Sequence, residues 1–396
     1  MQDFRFHNTT DIRFGTDVID AGLHDAITQF GRNVLLVYGG QSIKKSGLYA
    51  RVKSLLADLN ITELAGVEPN PKIDSVRAGQ QLAKENNVDV ILAVGGGSVI
   101  DASKVIGSAY YYDGDPWDLV LDSSLRMDIK QLPLVDILTL AATGTEMNFG
   151  SVISNPDTNQ KLGTGGPNSP AVSFLDPTLT YTVSALQTAA GSMDIFSHLT
   201  EQYFDAETDN DASKGMIEGL MRSVIKWAPV ALAEPDNYAA RANLMWTATM
   251  ALNGIVRLGG KNSWTAHPME HELSAYYDIT HGVGLGILTP RWMQYILNEQ
   301  TVSLFARFGR NVWQIVGDDD MAVAQAAIVA TYDWISSLNF PMTLPGVKIN
   351  DETNFDVMAQ SAVKVGHLNE SAYVTLDVDD VKNIYREAMQ PMKFEY

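Results

Sequence analysis

The apolar positions change rhythm partway along this chain. Up to about residue 180, short runs of aliphatic and β-branched residues recur at Val34–Tyr38, Glu63–Val67, Val88–Val94, Leu134–Leu140 and Ala171–Leu175. Several are continuous rather than alternating, the pattern of strands covered on both faces of a parallel sheet. Helix-length segments such as Lys45–Leu59 and Ile73–Asn86 lie between them. Strand, helix, strand, helix predicts a doubly wound α/β domain. After Asp176-Pro177 the period becomes helical, through Val183–Phe204, Asp211–Ala233, Ala239–Leu258, Thr289–Phe308, Asp319–Leu338 and Asp351–Val365. Ser184 suits the cap of the first of these. The expected organisation is an α/β domain over residues 1–180 and an all-helical domain over 181–396.

A length of 396 residues allows each domain a core of its own. The net charge of −19 disfavours nucleic acid and anionic lipid as partners, and no Lys/Arg run offsets it. The chain has no cysteine, which removes disulfides, thiolate ligands and a cysteine nucleophile, and suits a reducing cytoplasm. The first residues, MQDFRFHNTTDIRFG, lack a basic stretch followed by an apolar one, so no signal peptide is expected. No apolar run approaches the roughly 20 residues that span a bilayer. The expectation is a soluble cytoplasmic protein.

Two glycine turns follow predicted strands. Val88–Val94 runs into Gly95-Gly96-Gly97-Ser98, and a helical stretch, Val99–Ala109, follows. Strand, glycines and helix is the arrangement that cradles a pyrophosphate on backbone N–H groups. It is not the GxGxxG fingerprint, because Ile100 stands where the last glycine belongs. The other turn, Gly39-Gly40-Gln41-Ser42, follows the first of those strands. An acidic residue there binds the ribose 2′-hydroxyl of NAD. Here glycine and glutamine stand instead, with Lys44 and Lys45 close behind, which leans the expectation to NADP(H) over NAD(H).

The histidines carry the candidate chemistry. Asp194 and His198 stand four apart, and His267, His271 and His281 follow at spacings of four and ten. Residues four apart share one helix face, so one face offers a carboxylate and an imidazole to one cation. These donors suit zinc or iron(II). Spacing does not choose which four groups bind, since Glu201, Glu270 and Glu272 are also near in sequence. Pro268 suits a first helical turn, and His281 before Gly282 suits a helix start.

With these motifs in view, the chain resembles the iron-containing (group III) alcohol dehydrogenase family, and within it the butanol dehydrogenase and broad-range aldehyde reductase branch. The resemblance runs through Gly39–Lys45, Glu68-Pro69-Asn70-Pro71, Gly95–Asp101, Ala142–Met147, Gly191–His198, His267–Leu273 and His281-Gly282. It implies a Rossmann-like domain with a parallel sheet and an all-α domain, in the dehydroquinate synthase-like architecture, with the active site in the cleft between them. It implies metal ligands at Asp194, His198, His267 and His281, with His271 near the metal but not a ligand. Gly96, Gly97, Ser98 and Asp101 would line the pyrophosphate, and Thr139, Thr143 and Lys161 would lie along the cofactor. Gly39, Gly40, Ser42 and Asn70 complete the expected cofactor contacts. The family's usual Thr-Gly-Ser-Glu wording becomes Thr143-Gly144-Thr145-Glu146 here, keeping the hydroxyl.

The expected reaction interconverts short- to medium-chain aldehydes and primary alcohols with a nicotinamide cofactor and iron(II) or zinc. His271 is the candidate proton relay, or alternatively a residue that only orients a ligand. Trp264, Tyr276 and Tyr277 flank the histidines as pocket wall or core. A polyol dehydrogenase, a lyase of the dehydroquinate synthase type and a non-enzymatic nucleotide or metal sensor are the rival readings. The resemblance also suggests a homodimer, with the β-like segment Phe4–Phe14 pairing across it.

Overall fold

The computed structural model describes residues 1–206, 209–261 and 263–394. Its strands are β1 (Asp11–Phe14), β2 (Asn33–Tyr38), β3 (Asn60–Ala65), β4 (Val90–Gly95), β5 (Leu134–Leu138), β6 (Gly150–Asn155), β7 (Gln160–Gly165) and β8 (Val172–Leu175). Six of them form one sheet in the order β1-β8-β5-β4-β2-β3, while β6 and β7 form an antiparallel hairpin. Every pairing in the large sheet is parallel. The continuous apolar runs are explained by burial on both faces. Val34, Leu36 and Tyr38 of β2 join one core with Val90, Leu92 and Val94 of β4. The alternate residues, Leu35, Val37, Ile91 and Ala93, join the other. Asp176, a buried residue after β8, caps a short turn by accepting from the Thr178 N–H. From residue 184 onward the regular elements are helical.

Contacts gather the chain into two compact units. One comprises His7–Val183 with Asp236–Asn253, and the other comprises Met1–Phe6, Ser184–Pro235 and Gly254–Tyr396. A single division after residue 180 therefore misplaces one helix, Tyr238–Leu252, which packs with the sheet. Its Met245 lies in the sheet's core, and its Thr249 hydroxyl donates to Glu146. Gly144 takes φ +61°, and a Cβ there would stand 2.6 Å from the Ala248 carbonyl oxygen. The helix is thus pressed against the 143–146 turn at a place only glycine fills.

Other boundaries moved for local reasons. The expected helix over 45–59 is two pieces, Ser42–Lys45 and Leu48–Leu55, split at Gly47 with φ +83°. The helix expected to run to Leu258 stops at Leu252, ahead of Gly254 at φ +95°. The expected Thr289–Phe308 is instead His281–Ile296 and Val302–Val312, separated by a turn in which Asn298 and Thr301 bond to each other. Of the β-like segment Phe4–Phe14, only Asp11–Phe14 is a strand, and it pairs with β8. Among the described residues, no helix is long and apolar enough to cross a membrane.

Candidate metal centre and nucleotide cradle

The helix Ala185–Tyr203 starts where expected, with Ser184 accepting from the Gln187 N–H at 3.3 Å. Asp194, His198 and Glu201 sit on it at i, i+4 and i+7, one buried face. The helix Ala266–Tyr277 carries His267, Glu270 and His271, and His281 is the first residue of the helix His281–Ile296. A Cβ at Gly282 would overlap the Ala190 carbonyl. That glycine therefore lets the start of its helix reach the backbone of the Asp194 helix.

Three imidazoles converge on one oxygen. The Nε2 atoms of His198, His267 and His281 lie 3.7, 3.6 and 3.5 Å from Asp194 Oδ1. Donors at ~2.1 Å from one ion in a tetrahedron stand about 3.4 Å apart. Asp194, His267 and His281 form one set with donor atoms all within 4.8 Å of one another; His198 reaches the same oxygen from outside it. Asp194 Oδ1 and His267 Nε2 are buried and have no hydrogen-bond partner among the described residues. Buried polar atoms are ordinarily paired, and a divalent cation pairs with both. The donor set therefore fits a borderline divalent metal.

Two further carboxylates aim the rings. Glu201, 1% exposed, accepts from His267 Nδ1 and from the backbone N–H groups of Thr265, Ala266 (2.8 Å) and His267 (3.1 Å). Glu270, fully buried, accepts from His281 Nδ1 and the Ser274 hydroxyl. An imidazole donating from Nδ1 keeps an Nε2 lone pair for a cation. Glu272 faces away to the Ser361 hydroxyl at 2.6 Å, and burial raises its carboxyl to about 7. So of the three acids near in sequence, two hold imidazole rings, and Glu270 also gathers with His271 and His281 in a second group of donor atoms within 4.8 Å of one another.

The electrostatics follow this arrangement. Burial opposes charge on His267, but Glu201 and Asp194 outweigh it and push the imidazole up to about 9. Burial pulls His198 down to about 4, against the attraction of Asp194. Asp194 lies well below the usual carboxylate range: burial raises it, and the surrounding imidazoles more than reverse that. His271 is half-buried, its ring centre 5.5 Å from that of His281 and 6.2 Å from that of His267. Trp264 stands edge-on to His267 at 5.0 Å and His198 at 5.9 Å, an apolar wall beside two of the rings. Tyr277 instead accepts from the Asn354 amide.

The glycine turn after β4 opens the helix Gly97–Ala109, with Gly96 at its cap. A Cβ at Gly97 would stand 2.5 Å from Thr143 Oγ1, and one at Gly96 would stand 3.2 Å from Leu140 Cβ. The helix N-terminus and the threonine loop therefore meet where a side chain would fill the gap. Thr139 N–H bonds to the Gly95 carbonyl at 3.0 Å, fixing the loop's start. Ser98, Thr139 and Thr143 are partly exposed; Lys161, on β7, is 5% exposed. Asp101 differs from these. Its two oxygens accept from the Thr145 hydroxyl (2.6 Å) and the Val152 N–H (2.8 Å), so its carboxylate is engaged inside the unit. After β2, Gly39 is part-buried while Gly40 and Ser42 are exposed, and Asn70 takes φ +50°. Lys44 lies over the rings of Tyr38 and Tyr49, at 5.3 and 5.0 Å.

Comparison with known proteins places this geometry. The sequence pattern described as "Iron-containing alcohol dehydrogenase" matches residues 9–177, and "Fe-containing alcohol dehydrogenase family, C-terminal" matches 188–389. The chain is 46% identical to NADH-dependent butanol dehydrogenase A of Clostridium acetobutylicum, over 98% of this chain and all of that one. It is 35% identical to the NADPH-dependent aldehyde reductase YqhD of Escherichia coli, again over 98% of this chain and all of that one. The crystal structure of NADH-dependent butanol dehydrogenase A from Thermotoga maritima superposes with a TM-score of 0.92 at 36% identity, covering 98% of this chain and 99% of that one. The chain belongs to the iron-containing alcohol dehydrogenase family and is an oxidoreductase.

Proposed function

We propose that this member of the family interconverts short- to medium-chain aldehydes and primary alcohols, of which butanal and butanol are the type pair. The observation that carries the reading is the convergence of three imidazole Nε2 atoms on Asp194 Oδ1 at 3.5–3.7 Å. Asp194, His198, His267 and His281 would hold iron(II) or zinc. When bound, the cation supplies Lewis acidity to a carbonyl oxygen, and the nicotinamide supplies or accepts the hydride.

The chain's own residues do the rest. Glu201 and Glu270 hold His267 and His281 in the tautomer that faces Asp194. Trp264 keeps water from one side of the His198 and His267 rings. His271 moves a proton between the oxygen of the reacting carbon and solvent, its half-buried position giving it access to both. The pyrophosphate rests on the N–H groups of Gly96, Gly97 and Ser98, with Thr139, Thr143 and Lys161 along the cofactor. Gly39, Gly40, Ser42 and Asn70 take the adenosine end, and Asp101 supports the cradle through the Thr145 hydroxyl and the Val152 N–H. NADPH is the preferred cofactor in this reading: no carboxylate follows β2, and Lys44 stands five residues beyond Gly39. The cytoplasmic homodimer belongs to the same proposal, as does the division of cofactor and metal binding between residues 1–180 and 181–396, with the helix Tyr238–Leu252 counted with the sheet.

The test is anaerobic turnover of butanal by metal-stripped protein reloaded with iron(II) or zinc, with NADPH compared to NADH. Metal-dependent turnover with NADPH ahead is the expected result. Turnover with NADH ahead, as the name of the clostridial relative would have it, overturns the cofactor preference alone. Absence of turnover by metal-loaded protein with either cofactor overturns the substrate reading. His271→Ala is expected to lower turnover and alter its pH profile. Full turnover with an unchanged profile removes His271 from the proton path.

A further inference from the structure

Lys104 lies two turns beyond Gly97 on the helix Gly97–Ala109, and its side chain is fully buried. An ammonium has three donors and no acceptor. All three are used: Nζ donates to Thr145 Oγ1 at 2.7 Å, the Gly150 carbonyl at 2.8 Å and Asn148 Oδ1 at 3.1 Å. The Thr145 hydroxyl donates in turn to Asp101 Oδ1 at 2.6 Å, and Asp101 Oδ2 accepts from the Val152 N–H at 2.8 Å. Asn148 Nδ2 donates to the Gly144 carbonyl at 3.0 Å. One buried charge therefore ties together the nucleotide helix, the turn that follows Thr143 and the first residues of the β6–β7 hairpin. Burying an ammonium is costly, and burial pulls Lys104 down to about 8 against the attraction of Asp101, Asp136 and Glu146. A methionine would fill the space but leave the three acceptors of Nζ and the nearby carboxylates without their cation, so it is this network rather than packing that calls for a lysine here.

We infer that Lys104, acting through Thr145 and Asp101, is a positioning residue for the cofactor: it fixes the Thr143 hydroxyl at the mouth of the nucleotide helix. Gly97 has no room for a Cβ because Thr143 Oγ1 would stand 2.5 Å from it. Thr145 is two residues beyond Thr143 in the same turn, so the bond that anchors Thr145 to the helix sets how closely Thr143 approaches. The far side of the turn is held separately, by the Thr249 hydroxyl on Glu146 and the Ala248 carbonyl against Gly144. Loss of the Lys104 anchor therefore tilts the turn rather than unfolding it. The substitution of threonine for the family's usual serine keeps the hydroxyl that both receives from Lys104 and donates to Asp101.

This inference rests on the proposed cofactor site. The experiment is a fluorescence titration of the metal-loaded full chain with NADPH and with NADH, alongside steady-state kinetics, on wild type, Lys104→Met, Thr145→Val and Thr145→Ser. Lys104→Met and Thr145→Val are expected to raise the cofactor Kd and KM at least tenfold. In both, kcat at saturating cofactor should stay within threefold, and metal stoichiometry and aldehyde KM should not change. Thr145→Ser is expected to bind cofactor within twofold of wild type. Cofactor Kd within twofold of wild type in both Lys104→Met and Thr145→Val overturns the inference. So does a parallel fall of kcat, metal content and melting temperature, which is what a merely structural role produces. If Lys104→Met does not fold, the contrast between Thr145→Val and Thr145→Ser decides. Failure of the wild type to bind either cofactor overturns the cofactor site itself and the inference with it, an outcome distinct from the first two.

Discussion

Glu201→Gln is the sharpest perturbation of the metal centre, because it changes no volume. The native carboxylate receives four N–H groups: His267 Nδ1 and the backbone of His267 on Oε1, and the backbone of Thr265 and Ala266 on Oε2. A glutamine has one acceptor oxygen and one NH2. If the NH2 takes the Oε1 position, it points at two donors, and His267 relieves the conflict by changing tautomer. Its proton then sits on Nε2, the atom 3.6 Å from Asp194 Oδ1, and no lone pair is left for a cation. If the NH2 takes the Oε2 position, the ring keeps its tautomer but two backbone N–H groups at the start of the helix Ala266–Tyr277 lose their acceptor. Each unsatisfied buried donor costs about 1–3 kcal/mol, so the first orientation, which leaves the His267 backbone N–H, costs about that much and the second, which leaves two, about 2–6 kcal/mol of stability. The partner of a ligand ring contributes a factor of about 10–100 to metal affinity. The assay is chelator competition for zinc, with thermal melts of the metal-free protein. Metal affinity within twofold of wild type together with an unchanged melting temperature would refute the assignment of Glu201 as the group that orients His267.

Three further outcomes follow from the same geometry. Gly97→Ala is expected to raise the KM for cofactor by an order of magnitude with no loss of bound metal, since its Cβ would meet Thr143 Oγ1; kinetics and metal analysis read the two separately. Gly39→Asp is expected to lower kcat/KM for NADPH at least tenfold relative to NADH, through repulsion of the 2′-phosphate; an unchanged ratio removes Gly39 from the adenosine end. Glu272 gives a pH dependence. Burial raises its folded carboxyl to about 7 from 4.5, so between those values the folded protein holds a proton that the unfolded chain has released. Stability therefore falls as pH rises through that window, by up to about 3 kcal/mol. Glu272→Gln is expected to melt progressively higher than wild type, in metal-free protein, as pH rises from 4.5 to above 7, and a pH-independent difference would contradict the shift.

The sheet was legible because burial on two faces leaves no polar face to disguise a strand. The run at Val34–Tyr38 needed one residue added at its start, and that at Leu134–Leu140 two removed at its end. β1 was read only as the end of a longer β-like segment, because its sequence, Asp-Ile-Arg-Phe, is half polar and it pairs with a single neighbour. The β6–β7 hairpin was missed because its residues, Gly150-Ser-Val-Ile-Ser-Asn155 and Gln160-Lys-Leu-Gly-Thr-Gly165, carry little apolar signal. Helix Tyr238–Leu252 was legible as a helix but not as a partner of the sheet. That partnership rests on Thr249 reaching Glu146, 103 positions away in sequence, which no local period encodes.

At the metal centre the sequence showed the donors but not their arrangement. Asp194, His198 and Glu201 could be placed on one helix face from spacing alone, yet spacing does not distinguish a ligand from the group that orients one. The distinction is made by tertiary geometry: Glu201 reaches His267 Nδ1 while Asp194 faces the Nε2 atoms. The helix start that His281 suggested is where the helix begins, but the first turns after it fell outside the expected Thr289–Phe308 for a related reason. Gly282, Gly284 and Gly286 lower helix propensity by about 1 kcal/mol each relative to alanine, so the pattern there reads as a break. Each is required by packing, since a Cβ would overlap the Ala190 carbonyl, stand 2.7 Å from Glu270 Cγ, or overlap the Phe340 ring, respectively. Two of these neighbours belong to the metal centre's own supports: the Asp194 helix and the carboxylate that holds His281. The local preference is given up where the site demands close approach of backbones. A departure from good helix chemistry beside a histidine is thus itself a signal of the site, legible once it is read as a packing requirement rather than as the absence of a helix.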